Sequence, residues 1–141
     1  MKVDLDFYIH KHHRHATDEI FALEDMRRDL VLHANNDNKL NCHIYSGHFF
    51  NDNVDVSEWK FFLTIKQNPT DSDEDAVYIN DDADLDDAKD GKVVINIALA
   101  SGEDLLGNYL YELKAKTSHD KIRTLCYGLA SFAQGLSTRI S

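Results

Sequence analysis

The sequence contains few cysteines, the residues with which small proteins form stabilising disulfides or bind structural metal ions. It contains only two cysteines, Cys42 and Cys126, and one proline in 141 residues. A chain of this length buries roughly two thirds of its unfolded surface on folding, so it needs no disulfide to form a core. We therefore expect a single domain over residues 1–141, with both cysteines reduced and buried.

Catalytic and membrane signatures are also missing. The chain has no serine elbow, glycine-rich phosphate loop, dinucleotide fingerprint or kinase motif. Its longest apolar stretch, residues 93–100, is broken by Asn96 and is far shorter than the roughly 20 residues that cross a bilayer. The first residues lack the basic and apolar regions of a signal peptide. These absences predict a cytoplasmic protein without a cofactor, and they argue against an enzyme.

Positive charge is scarce in one segment. Between residues 67 and 91 ten carboxylates face a single lysine, Lys89, whereas the rest of the chain carries 14 basic and 15 acidic residues. The formal net charge of −10 disfavours direct contact with nucleic acid or an anionic membrane, because both need a cationic surface. We expect an exposed acidic loop at about residues 68–91 that faces water or a basic partner.

Hydrophobic periodicity predicts strands in five places. Apolar and polar residues alternate over residues 2–10, 40–45, 59–66 and 92–99, and residues 77–79 are a candidate edge strand. The stretch 92–99 is the most hydrophobic of these and is predicted to be the central strand. Trp59 is expected to be buried in the core.

Three other segments show helical spacing instead. Apolar residues three or four positions apart follow Thr17, Ser101 and Thr117, which are candidate N-caps. Leu125 and Phe132 lie on the apolar stripe of the last predicted helix. The order β-α-β-β-(β)-β-α-α indicates an α+β fold, with an antiparallel sheet of four or five strands and helices packed on one face.

A histidine cluster between the first strand and the first predicted helix raises a metal hypothesis. His10, His12 and His15 are weak candidate ligands, because neutral imidazoles bind transition metals. Lys11 and Arg14 are interleaved and repel a cation, and no spaced motif such as HExxH follows. A solvated loop is therefore favoured, and we predict no metal.

The predicted contact surface combines the acidic segment with two aromatic residues. Its members are Asp71, Asp73, Glu74, Asp75, Asp81, Asp82, Asp84, Asp86, Asp87, Asp90, Tyr8 and Phe62. The two aromatic residues are included because the polar faces of the first and third predicted strands would carry them together, as anchors beside the acidic loop.

In size and charge distribution the chain resembles bacterial toxin-immunity proteins and phage-encoded inhibitors of nucleic-acid-binding defence enzymes, some of which mimic nucleic acid. The resemblance implies a non-enzymatic acidic inhibitor, monomeric or homodimeric, on the basic surface of a nuclease or another nucleic-acid-binding protein. Carboxylates imitate phosphates because both present anionic oxygens to Arg and Lys. Two alternatives stay open: a small metal-dependent enzyme that uses the cluster His10–His15, and an acidic adaptor or chaperone that dimerises through the final helix.

Overall fold

The computed structural model shows a protein built from β-strands. It describes residues 2–9, 20–22, 27–33, 38–46, 52–68, 70–97, 107–117, 120 and 122–133. These residues form β1 (Lys2–Ile9), β2 (Ile20–Ala22), β3 (Leu30–His33), β4 (Asn38–Ser46), β5 (Asp52–Asn53), β6 (Lys60–Lys66), β7 (Tyr78–Asn80), β8 (Lys92–Ile97), β9 (Gly107–Lys116) and β10 (Ile122–Ala133). Two short 3-10 turns, Asp73–Asp75 and Ala88–Asp90, are the helical structure of this part of the chain.

The strands form two five-stranded sheets. In the first sheet the order is β2-β1-β4, and both β5 and β8 pair with the remaining edge of β4. In the second sheet the order is β3-β10-β9-β6-β7. The pairings β1–β4 and β3–β10 are parallel, whereas the other pairings are antiparallel. Both sheets are therefore mixed.

Each sheet buries one face in a common core, because buried and exposed side chains alternate along the strands. From the first sheet the core receives Leu5, Phe7, Leu40, Cys42, Ile44, Val93, Ile95 and Ile97, and from the second Leu30, Leu32, Phe61, Leu63, Ile65, Tyr111, Leu113, Ala115, Leu125, Cys126, Ala130 and Phe132. Burial raises the pKa of the Cys42 thiol of β4, and Cys126 of β10 is close enough to add to this shift. The two inner faces therefore lie against each other.

Asn38 links the two sheets at one edge. This residue begins β4 in the first sheet and is fully buried. Its side-chain amide donates to the carbonyl oxygen of His33 at 3.0 Å and accepts from the His33 N–H at 3.0 Å. Because His33 ends β3 in the second sheet, the amide takes the place that a neighbouring strand would occupy.

The prediction of an α+β fold is wrong, because strands replace the predicted helices wherever those segments are described. The segment after Thr17 contains β2 and β3, that after Ser101 contains β9, and that after Thr117 contains β10. The dimerisation helix invoked for an adaptor or chaperone is thus a strand.

The helical spacing in the last two segments has a structural cause. Leu110 and Leu129 are paired on the outer face of the second sheet, so β9 and β10 carry apolar residues on both faces. A β-bulge adds to the effect, because it lets Leu125 and Cys126 both face the core although they are consecutive. When apolar residues occupy both faces of a strand, apolar and polar residues no longer alternate along the sequence. The apolar residues then recur three or four positions apart, which is typical of a helix.

Two further expectations about the sheet are corrected. The sheet is not purely antiparallel, and β8 is not central: its strand partner in the described structure is β4, and its other side carries a single bridge from Val94 to Asp84. The hydrophobicity of β8 reflects its buried inner face, with Val93, Ile95 and Ile97. The edge strand predicted at residues 77–79 is confirmed as β7, which lies at the edge of the second sheet.

Truncating a core side chain should be costly. Trp59, Leu125 and Phe132 are at most 6% exposed, as the sequence predicts. Replacing any one of them with alanine is expected to lower the free energy of unfolding by about 2–5 kcal/mol, because apolar contacts are lost and a cavity is left. Chemical denaturation measures the loss, with Val31→Ala on an exposed strand position as the control. A loss below about 0.5 kcal/mol at Leu125 would contradict the assigned inner face.

Candidate functional site

The acidic segment connects the two sheets. It leaves the second sheet after β7 and reaches β8 of the first sheet, where Asp84 and Val94 exchange backbone hydrogen bonds of 2.8 and 3.2 Å. At its end the carbonyl oxygen of Gly91 accepts the Ile44 N–H at 2.8 Å. The backbone is therefore fastened to both sheets.

Apolar side chains hold the middle of the segment against the core. Ala88 is fully buried, and Ala83 and Leu85 are partly buried against the core cluster. The acidic residues between them are exposed. We call this surface the acidic ridge, and its members with described side chains are Asp71, Glu74, Asp75, Asp81, Asp82, Asp84, Asp86, Asp87 and Asp90. Asp73 belongs to the same segment through its backbone.

Some ridge carboxylates have local structural roles. Asp71 accepts the Asn68 N–H at 3.0 Å, Asp75 accepts the Ser72 hydroxyl at 3.1 Å, and Asp84 accepts the Asp86 N–H at 2.9 Å. Such bonds are typical of turns. The side chains of Asp81, Asp82, Asp86, Asp87 and Asp90 make no such bond to a described residue. Their exposed charges are available to a partner.

The two predicted aromatic anchors do not share a sheet. Tyr8 is part of β1 in the first sheet, whereas Phe62 is part of β6 in the second sheet. The expectation that both lie on one polar face is therefore wrong, because β1 and β6 are not neighbours. Phe62 is half-buried on the outer face of the second sheet. His10, His12 and His15 lie outside the described residues.

The outer face of the second sheet is an apolar surface that sequence reasoning missed. The large hydrophobic side chains that are exposed in the described structure are Val31, Val77, Ile79, Ile122 and Tyr127. Strand alternation places four of them, Val31, Ile79, Ile122 and Tyr127, on this face, opposite the core, and Val77 directly precedes β7. Most of these residues lie in segments whose spacing predicts helices. Apolar residues at both odd and even positions of a strand would have indicated an apolar outer face.

Three of them, Ile79, Ile122 and Tyr127, border a groove of about 740 Å³. Its apolar lining comprises Phe62, Ile79, Leu110, Ile122, Tyr127 and Leu129. Its charged lining comprises Arg27, Lys66, Asp81, Glu112 and Lys114. Lys114 and Glu112 form an ion pair of 2.9 Å. Asp81 belongs to both the groove and the acidic ridge, so the two surfaces are continuous.

A close backbone approach shapes one end of the groove. The chain at Arg28 and Asp29 passes directly over Gly128, where a Cβ atom would lie 2.7 Å from the Arg28 carbonyl oxygen. Asp29 accepts the Leu129 N–H at 3.0 Å, and the buried Tyr111 hydroxyl donates to the Arg28 carbonyl oxygen. These contacts place Arg27 beside Tyr127, with its guanidinium 3.6 Å from the Asp29 carboxylate.

Charge is distributed unevenly around this face. Asp81 and the ridge lie along its β7 margin, whereas Lys60 and Lys116 are directly paired at one end of β6 and β9. Like charges that face each other across strands repel, and the ion pair between Lys116 and Asp120 at 3.6 Å offsets part of this repulsion. The face is therefore negative at one margin and positive at one end.

The two cysteine thiols are buried and lie at neither surface. Burial raises the pKa of both free thiols, to about 11 for Cys126, and it also raises the pKa of the Tyr111 hydroxyl. Neutral thiols are poor nucleophiles. Among the described residues no three His, Cys, Asp or Glu side chains converge as metal ligands.

The described residues contain no helix with the length and hydropathy needed to span a lipid bilayer. No protein-family model matches the sequence, and no curated protein matches it. The N-terminal domain of phage TP901-1 ORF48 is similar in structure, with a TM-score of 0.45 and 9% identity over 95% of this chain and 100% of that chain. CopC from Methylosinus trichosporium OB3b has a TM-score of 0.38 and 14% identity over 80% of this chain and 91% of that chain. Scores of this size do not bear on function.

Substitution of Gly91 should loosen the end of the ridge. Gly91 has a φ of +76°, and a Cβ atom would overlap the Ile44 carbonyl oxygen. Gly91→Ala is expected to lower the free energy of unfolding by about 1–3 kcal/mol. Gly107→Ala is the matched control, because Gly107 has a φ of +97° but a Cβ atom there would meet no heavy atom within 4 Å. Equal losses in the two variants would contradict a close backbone contact at Gly91.

Stability should fall at high pH because of the buried thiols. The pKa of Cys126 is about 11 in the folded protein, above its ordinary value of 9.0, so the unfolded state releases its proton first as pH rises. The contribution of this thiol to the free energy of unfolding is therefore fully present below pH 9. Between pH 9 and pH 11 it is lost, by about 1.4 kcal/mol per pH unit. Denaturation across this range should show a smaller slope for Cys126→Ala than for the wild type. Identical slopes would rule out a thiol with a raised pKa.

Proposed function

We propose that this protein is a non-enzymatic binding protein whose acidic ridge occupies the basic surface of a partner protein. The observation that carries the proposal is the fixed backbone of the ridge, which holds exposed carboxylates outward while Ala83, Leu85 and Ala88 pack inward. A fixed array of charges loses less conformational entropy on binding than a mobile loop.

The charge distribution supports an electrostatically guided encounter. The segment between residues 67 and 91 carries nine of the ten net negative charges of the chain. Such a concentrated field attracts a cationic groove over a distance of about 10 Å at moderate salt, and it speeds association more than it slows dissociation.

The partner class that fits best is a nuclease or another protein that binds nucleic acid. Its binding surface is cationic because it must displace counterions from phosphates. Exposed carboxylates accept hydrogen bonds from Arg and Lys as phosphate oxygens do. On this proposal the protein acts as an inhibitor, because the ridge and the nucleic acid compete for the same cationic surface.

Neutralising the ridge should slow association without unfolding the protein. The test variant changes Asp82, Asp86, Asp87 and Asp90 to Asn, because these side chains make no turn bond to a described residue. A matched control neutralises Asp4, Asp6, Glu58 and Asp120, which lie off the ridge and give the same net charge. Proteins captured from the native host by the wild type and by the control, but lost with the ridge variant, are then identified and purified.

The on-rate of such a purified partner is measured against salt concentration. It is expected to fall at least about tenfold in the ridge variant at low salt and to lose most of its salt dependence. The free energy of unfolding should change little in the ridge variant, because exposed like charges repel one another. In the control it should fall slightly, because the Lys116–Asp120 ion pair and the Asn41–Asp4 hydrogen bond are exposed. Equal on-rates for the ridge and control variants would overturn the proposed function.

A further inference from the structure

The outer face of the second sheet combines features of a docking surface. Ile79 and Tyr127 are each 46% exposed, and they lie in the same row across the sheet, on either side of Thr64 and Glu112. Soluble proteins seldom leave several large hydrophobic side chains exposed on one face unless that face binds something. The groove between them has a volume of about 740 Å³ and is continuous with the acidic ridge at Asp81.

Backbone hydrogen bonding determines what kind of segment can lie there. In the row of Tyr127, Glu112 and Thr64, the strands β10, β9 and β6 each have a backbone partner on both sides, so the middle of the face presents side chains and no unpaired strand edge. An extended peptide on this face would leave its own N–H and C=O groups without partners. A helix satisfies these groups internally and presents an apolar stripe, so a helix is favoured.

The charges at the margins of the groove determine which charged residues the bound helix carries on its flank. At the β7 margin a bound helix meets Asp81, whose carboxylate favours Lys or Arg. Arg27 and Lys114 of the lining are already paired with Asp29 and Glu112. At the end of the sheet, the paired Lys60 and Lys116 would repel a helix with basic residues all around. The helix that fits therefore has an apolar stripe and basic residues on one flank.

We propose that the groove on the outer face of the second sheet is the docking site for an amphipathic helix of the partner, with its basic flank against Asp81 and the acidic ridge. This inference rests on the proposed function and names the segment of the partner that is recognised. The two surfaces control different rate constants. The ridge charges set the association rate, and the apolar contacts of Ile79 and Tyr127 set the dissociation rate.

A designed peptide tests the groove before the partner is identified. The probe is a labelled helical peptide of about 18 residues, or five turns, with leucines on one stripe, lysines on one flank and glutamines elsewhere. One comparison peptide replaces the lysines with glutamates, and a second has the same composition in scrambled order. Fluorescence anisotropy gives the affinity, and stopped-flow mixing gives the two rate constants.

The decisive protein variant is the double substitution Ile79→Ser and Tyr127→Ser. Both side chains are exposed, so the fold should persist, which circular dichroism checks. Affinity for the lysine peptide is expected to fall about tenfold or more, mainly through faster dissociation. Val31→Ser is the matched control, because Val31 is exposed on the same face but lies outside the groove lining. Its affinity should stay within about twofold of the wild type.

The outcomes separate this inference from the function on which it rests. If the ridge variant slows association of the lysine peptide but the Ile79 and Tyr127 variant binds like the wild type, the groove inference is wrong and the ridge proposal stands. If the glutamate peptide binds as tightly as the lysine peptide, the charge argument for the groove fails and this inference is wrong, whereas the proposed function is judged by the on-rates of the ridge and control variants. Equal binding of the scrambled peptide would show that no helix is recognised, and would overturn the inference.

Discussion

Burial of one face of each sheet fixes which side chains remain outside. In β9, Tyr111, Leu113 and Ala115 fill the core, so strand alternation forces Glu112 and Lys114 onto the outer face. A shift of one residue in the pairing with β6 or β10 would exchange these two sets. The ion pair, the groove and the paired lysines at its end all depend on that register.

The acidic ridge depends on the same core. The core cluster includes Ala88, and Ala83 and Leu85 pack against it. Because Gly91 has no Cβ atom, the chain can pass close to the backbone of Ile44. Mutual repulsion among ten carboxylates favours an expanded chain, and apolar burial with backbone hydrogen bonds to both sheets opposes it. The balance yields charges that are exposed and yet fixed in position.

The two surfaces have complementary physical properties. Long-range attraction from the ridge guides a partner but is weakened by salt, whereas contact with an apolar groove acts only at short range and is little affected by salt. Their junction at Asp81 allows one partner to use both. The buried thiols of Cys42 and Cys126 belong to the core and take no part in this surface.

The sequence by itself determined the acidic segment, the strands around Leu5, Leu40, Leu63 and Ile95, and the burial of Trp59, because charge density and a clean period of two are local properties. It did not determine β9 and β10. Leu110 and Leu129 face outward beside inward-facing neighbours, and the bulge at Leu125 shifts the alternation, so the local pattern matches a helix. These segments are sheet because they pair with each other and with β6 and β3, which are distant in sequence. The groove exists because of that pairing, and tertiary structure alone placed it next to the acidic ridge.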